Sequence, residues 1–314
     1  MSRFILLINN GIFIKEYKND TFIEFKEYDK YKHLSLIYPY MAIFKHNLEV
    51  NKPALLMLAY DTKFRLQYKY NQQHINMCTQ RKLCNIKELI KKIDILINHL
   101  DKNISKKQID RDGVICSMIK ITFLTGIRIG KDIHFKDYNS VGLSTLQKKH
   151  IIYLADDKCV IEFIGKKQIF HHYEINDKFI IRVLKFLYNK TTNDDDFIFV
   201  FDNYKIKYTD INDYIKQVLS NDDITNKDLR TLLANILFID YLFKFIDNDM
   251  TETKLKKLVA DSTHFVATKL QNTKAVSKKS YVFSKISEYL YANIDKLYSL
   301  KSLTPIQILQ FILK

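Results

Sequence analysis

Residues 151–175 read IIYLADDKCVIEFIGKKQIFHHYEI, three apolar or alternating runs parted by two polar breaks. Ile151–Leu154, Val160–Ile164 and Ile169–Ile175 carry the β-branched and aromatic side chains that strands favour, with turns at Asp156-Asp157 and Gly165–Gln168. The spacing predicts a three-stranded antiparallel meander, with Lys166 projecting from its second turn. On either side of this β island the hydrophobic period is helical. Ile86, Leu89, Ile90, Ile93, Ile97 and Leu100 lie on one face, so a helix is expected to begin near residue 85. Val114–Leu124 and Leu229–Phe243 also read as helices, the latter with an apolar stripe at 229, 232, 233, 236 and 237. Thr304-Pro305 marks a last helix start, Thr as cap and Pro in the first turn, with Ile308, Leu309 and Ile312 buried. The polar Asp247–Lys257 stretch reads as a mobile connection.

The first 75 or so residues read differently. Phe4–Ile8, Asn9-Asn10-Gly11 and Ile12–Tyr17 form a hairpin signal, because Asn and Gly tolerate the positive φ of tight turns. Thr21–Tyr28 alternates as a third strand and Phe64–Tyr70 as a later one. The expected class is α+β: a small antiparallel β-rich domain over 1–76, then a larger, mostly α-helical domain over 77–314 that holds the meander. A length of 314 residues suits two domains at about 150 residues each, and 47% hydrophobic content excludes global disorder.

The charge narrows the partner. Fifty Lys and Arg against 35 Asp and Glu give +15, which points to a polyanion, nucleic acid ahead of an anionic membrane. The apolar run at 4–8 is far short of the ~18 residues of a membrane span. Cys78, Cys84, Cys116 and Cys159 show neither metal-ligand pairing nor a disulfide framework, so a reducing, intracellular setting is expected.

Four residues then stand out. Arg128 lies between Gly126 and Gly130, Lys166 follows Gly165, Arg230 sits in Lys-Asp-Leu-Arg-Thr, and Tyr281 follows Ser-Lys-Lys-Ser. An arginine offers a fixed fork of donors to a phosphate and stays charged. A hairpin lysine can protonate a leaving oxygen as general acid. A tyrosine nucleophile, only about 0.1% ionised at pH 7, needs nearby cations to stabilise its phenolate. Each has a bland reading as well: an arginine beside a helix C-terminus, a soluble Gly-Lys turn, one of 20 tyrosines. As an ordered set they fit phosphodiester chemistry through a phosphotyrosine without metal.

In this order and at these separations the residues resemble those of poxvirus-type type IB DNA topoisomerases, within the tyrosine recombinase and topoisomerase IB superfamily. Val141-Gly142-Leu143-Ser144-Thr145-Leu146, Lys227-Asp228-Leu229-Arg230-Thr231 and the run Asp61–Tyr70 carry the resemblance further, so that it spans nearly the whole chain. It implies a C-shaped clamp on duplex DNA and a monomer that relaxes supercoils without ATP, metal or cofactor. Tyr281 would form a 3′-phosphotyrosyl link, Arg128 and Arg230 would stabilise the transition state, and Lys166 would protonate the 5′ oxygen. Asn272 stands where the family has a histidine; its amide can donate a hydrogen bond but carries no proton to give. The resemblance assigns DNA contacts to Lys63, Arg65, Gln67, Tyr68, Tyr70, His74, Lys131 and His134. For Tyr68 and Tyr70 the alternative is packing, since they alternate in phase with Phe64 and Leu66. The virion and the cytoplasm of an infected host cell are the implied setting. Two rivals stay open: a tyrosine site-specific recombinase, disfavoured by Lys227 where those enzymes carry histidine, and a non-catalytic DNA-binding relative, which only Asn272 supports.

Overall fold

The computed structural model describes residues 3–8, 13–18, 21–24, 40–45, 55–61 and 64–314. The turn expected at Asn9–Gly11, the end of the third strand and Lys63 lie outside the described residues. Two compact units divide the chain, Met1–Leu83 and Cys84–Lys314.

In the first unit, β1 (Arg3–Ile8), β2 (Phe13–Lys18), β3 (Thr21–Glu24), β4 (Tyr40–Lys45), β5 (Leu55–Tyr60) and β6 (Leu66–Tyr70) form one sheet in the order β3-β2-β1-β4-β5-β6. The pairings are antiparallel; Ile8 faces Phe13 across the hairpin that the sequence predicts. Strands β4 and β5 are additions to the sequence reading. Their near-continuous apolar runs, YMAIFK and LLMLAY, lack the alternation that distinguishes a strand from a short buried helix. On β6 the exposed face is the aromatic one: Leu66, Tyr68 and Tyr70 are exposed, whereas Gln67 and Lys69 are half-buried. The packing alternative for the two tyrosines therefore fails.

The helix expected near 85 starts instead at Gln72 and runs to Ile104 (α1). Its residues 72–85 are exposed or half-exposed, so they carry no apolar stripe to read; burial begins at Ile86. In the second unit α2 (Arg111–Thr125) is central, with Val114, Ile115, Cys116, Met118, Ile119 and Ile121 fully enclosed. At roughly 1.5–3 kcal/mol for each large side chain buried, this helix anchors the core. The short α3 (Asp132–Tyr138) follows it in the chain, and α4 (Lys178–Lys190), α5 (Tyr208–Leu219) and α6 (Asn226–Lys244) pack against it. The meander forms as expected from β7 (Ile151–Leu154), β8 (Cys159–Ile164) and β9 (Phe170–Ile175), with Phe163 opposite His171. After a two-strand ribbon, β10 (Val200–Phe201) and β11 (Tyr204–Lys205), the rest is helical: α7 (Glu252–Lys269), α8 (Lys274–Ser280), α9 (Ser284–Ala292) and α10 (Pro305–Leu313), the last capped by Thr304.

Two expectations change. Glu252–Lys257 belongs to α7, capped by Thr251 and laced by a Glu252–Lys256 pair at 2.5 Å; polar residues there cover a solvated helix rather than a connection. On α6 the stripe is wrong, because the helix is enclosed on most sides from Asp228 to Asn235 while Ile236 and Leu237 are half-exposed. Enclosure buries Asp228, Arg230, Thr231 and Asn235, and buried polar groups need partners. No helix among the described residues is long and apolar enough to cross a membrane.

Candidate active site

Arg128 is placed by the end of α2. Gly126 closes that helix in the left-handed region (φ 69°), its N–H donating to the Thr122 carbonyl at 2.8 Å. A Cβ there would meet Leu270 Cδ2 at 2.3 Å, so the position needs glycine twice over. The extended segment that follows is pinned where Gly130 and Gly142 cross: a Cβ on Gly142 would lie 2.6 Å from Gly130 Cα and 2.8 Å from the Arg128 carbonyl. Leu143 N–H donates to that carbonyl at 2.8 Å. Arg128 is half-buried, and its Nη2 donates to Oδ1 of Asn272.

Arg230 is the fifth residue of α6, not an exposed first-turn residue, and is only 3% exposed. Its Nη2 donates to the Leu270 carbonyl at 2.9 Å, and its guanidinium carbon lies 5.2 Å from the centre of the Tyr281 ring. Burial pushes the guanidinium down to about 10, Arg128 adding to the effect and the Tyr281 and Tyr173 phenols opposing it. It therefore remains a cation at neutral pH.

Tyr281 caps α8, its N–H bonded to the Ser277 carbonyl at 3.1 Å, and is 8% exposed. Asn235, fully buried on α6, holds the peptide that follows it from both sides: Nδ2 donates to the Tyr281 carbonyl at 2.9 Å and Oδ1 accepts from Phe283 N–H at 3.2 Å. An asparagine at that spacing from Arg230 gave no sequence signal, because its job is set by a segment 46 residues away.

Asn272 follows the end of α7, where Gln271 turns left-handed (φ 50°) and Asn272 N–H donates to the Ala267 carbonyl at 2.8 Å. Because Oδ1 accepts from Arg128, the amide is turned with Nδ2 as its free donor. Nδ2 of Asn272 and Nε and Nη1 of Arg230 are buried N–H groups without a hydrogen-bond partner. Unmade buried bonds of this kind cost roughly 1–3 kcal/mol each, more for a charged group. A cavity of about 450 Å³, lined by Phe170, His172 and Gln271 among others, opens beside Asn272.

Lys166 lies elsewhere in character. It starts a single 3-10 turn between β8 and β9 and is exposed. His171, whose place next to His172 in a strand reads as structural from sequence, and Tyr173 border the arginines from the inner face of β9. Burial, then Arg128 and Arg230, push His171 down to about 4; burial raises Tyr173 to about 12 against the pull of both arginines.

Among the residues expected to touch DNA, Arg65 and Gln67 converge on Asp61, Arg65 by an ion pair at 2.7 Å and Gln67 Nε2 at 3.2 Å. His74 sits on α1 with its ring 4.9 Å from Tyr70, and Cys78 Sγ lies 3.3 Å from its Nε2. Lys131 is exposed, its ammonium 4.7 Å from the Tyr208 ring centre, and His134 is exposed on α3. Among the described residues no group of three His, Cys, Asp or Glu side chains could hold a metal ion.

Comparison with known proteins gives the family of the chain. Residues 71–303, which include all five candidate catalytic residues, match the family described as eukaryotic DNA topoisomerase I, catalytic core. The chain is 29% identical over 263 residues to DNA topoisomerase 1B of Acanthamoeba polyphaga mimivirus, covering 81% of this chain and 77% of that one. It is 29% identical over 254 residues to DNA topoisomerase I of Monkeypox virus and to DNA topoisomerase 1B of Vaccinia virus (strain Copenhagen), covering 79% of this chain and 76% of each. The chain belongs to the DNA topoisomerase I family, in its poxvirus-like type IB form.

Proposed function

We propose that this type IB topoisomerase relaxes supercoiled duplex DNA by cutting one strand through a 3′-phosphotyrosyl intermediate and resealing it, without ATP or metal. The observation that carries the proposal is the set of three buried donors without a partner, Arg230 Nε and Nη1 and Asn272 Nδ2, with the Arg230 guanidinium beside the ring of Tyr281 and Asn272 joined to Arg128. Donors fixed before the substrate arrives stabilise developing charge without reorganising, which makes them most effective in a site that excludes water.

In the proposed reaction the Tyr281 phenol gives its proton to solvent water and its oxygen bonds to a backbone phosphorus. The bond from phosphorus to the 5′ oxygen breaks, and Lys166 gives that oxygen a proton. Arg128 and Arg230 offset the charge spreading over the non-bridging oxygens, while Asn272 donates one hydrogen bond and moves no proton. Religation is the reverse attack by the 5′ hydroxyl. The phosphotyrosyl ester keeps the energy of the bond it replaced, so no nucleotide is consumed. The open aromatic face of β6, Tyr68 and Tyr70, together with Lys131 and His134, is the proposed DNA-contacting set, acting as a monomer. Arg65 and Gln67 would join it by exchanging Asp61 for a phosphate or base edge.

Purified protein should relax supercoiled plasmid in EDTA without ATP and leave protein on the 3′ side of the nick. Relaxation that stops in EDTA, or protein found on the 5′ side, would overturn the proposal. Linear substrates that recombined instead would favour the recombinase reading.

A further inference from the structure

We propose that His171 is a positioning residue for Lys166: its buried imidazole is the seat on which the lysine-bearing turn rests, tying that turn to the arginine pair. The inference rests on the general-acid reading of Lys166. It begins at Gly165, the residue before the lysine. A Cβ on Gly165 would lie 2.6 Å from both Cδ2 and Nε2 of His171, so the imidazole lies directly against the backbone from which Lys166 springs. The turn itself is tight, with Gly165 N–H donating to the Ile169 carbonyl at 2.8 Å and Gln168 N–H to the Gly165 carbonyl at 3.1 Å.

The ring is held from its other sides. His171 is 3% exposed, stacks on Phe163 with centres 5.0 Å apart and planes 15° apart, and pairs through Nδ1 with the Tyr173 hydroxyl at 3.1 Å. Tyr173 stays a phenol at neutral pH, so its hydroxyl and Nδ1 can share this bond in either imidazole tautomer. Arg128 and Arg230 face the same ring, and with burial they keep it uncharged, against the pull of the Gln271 side chain. A charged imidazole at this place would repel both arginines and the lysine. A neutral one transmits position without competing for the phosphate. The exposed lysine is thereby indexed to the two guanidiniums through one ring and one glycine.

The test is single-turnover cleavage of two matched duplexes carrying one mapped cleavage site, with either the natural 5′ oxygen or a 5′ sulfur as leaving atom. A sulfur leaving group needs no proton, so loss of a general acid should vanish on it. Lys166→Ala should be slow on oxygen, on the order of 10²-fold or more, and near wild type on sulfur. His171→Ala and Gly165→Ala should each slow the oxygen substrate about tenfold or more and recover on sulfur, with DNA affinity unchanged. The Gly165→Ala, His171→Ala double variant should be no slower than His171→Ala, because the ring that a new Cβ would strike is gone; such non-additivity marks residues in contact. His171→Phe keeps the stacked ring and guards against a variant that fails to fold; it too should recover on sulfur.

If His171→Ala and His171→Phe were slowed equally on both substrates while Lys166→Ala recovered, His171 would support the arginines only and the inference would be wrong. Should Lys166→Ala itself fail to recover, the acid reading falls, and the inference with it.

Discussion

The floor of the site and the turn above it hold their cations in opposite ways. On the floor, Arg230 is almost wholly enclosed, bonded to the Leu270 carbonyl and set against the Tyr281 ring, and Arg128 is fixed to Asn272. In the turn, Lys166 is exposed on three residues of 3-10 helix. Charge stabilisation needs donors fixed before reaction, because any reorganisation subtracts from their effect. Proton delivery needs reach, and a lysine on a short turn has that. The arginines proposed to meet the phosphate are thus fixed by partners, while Lys166, the proposed proton donor, stands exposed on its turn.

The strongest way to break the comparison is to remove the proposed nucleophile from the floor. Tyr281→Phe should abolish cleavage, a loss on the order of 10⁴-fold or more, yet bind duplex DNA as wild type does, since the ring still packs. Measured relaxation comparable to wild type would place the nucleophile elsewhere. Next comes the fork of Arg230. Arg230→Lys should lose on the order of 10²–10³-fold in cleavage rate, nearly as much as Arg230→Ala, because an ammonium cannot present both Nε and Nη1. Arg230→Met should be as inactive but at least as resistant to heat as wild type, since it removes a buried charge with unmade bonds. A Tm well below wild type would mean that the guanidinium is needed for folding, not held in reserve for a phosphate.

Acid offers a way to loosen the joint between floor and turn without mutation. His171 is held at about 4, and His150, which accepts Gln147 N–H through Nδ1 at 2.9 Å, is likewise pushed to about 4 by burial and Lys149. In the unfolded chain each would take up its proton near pH 6.5. Between about pH 6.5 and 4 the unfolded state thus binds more protons, so stability is full above that window and is lost as pH falls through it. For His171 the loss by pH 4 is on the order of 2–3 kcal/mol. Thermal melts of wild type at pH 7 and pH 4.5 should separate, and His171→Phe should narrow the gap. An equal gap in both would remove His171 from the account.

How far the sequence spoke depends on what each residue's signal rests on. The meander was legible strand by strand, because alternation and turn chemistry are local. The ends of α1 and α7 were not, since exposed polar helix carries no apolar period. Arg128, Lys166, Arg230 and Tyr281 emerged from order and neighbours. Asn235 and Tyr173 did not emerge, because their roles exist only once α6 meets the turn after α8, and β9 meets the arginines. The glycines told more than they first suggested: Gly126, Gly130, Gly142 and Gly165 each mark a place where a side chain would strike a part of the site's frame.

Asn272 gives the smallest effect and the sharpest discrimination within the floor. Its Oδ1 is occupied by Arg128, so whatever it contributes to a phosphate comes from Nδ2 alone. One neutral hydrogen bond is worth about 1 kcal/mol, so Asn272→Ala should slow cleavage only about fivefold. Asn272→Asp keeps the Arg128 bond and the shape but replaces the donor by a carboxylate, so it should be slower than Asn272→Ala despite the closer resemblance. Were Asn272→Asp the faster of the two, the residue would be serving Arg128 and not the phosphate. The floor would then rest on the guanidiniums alone.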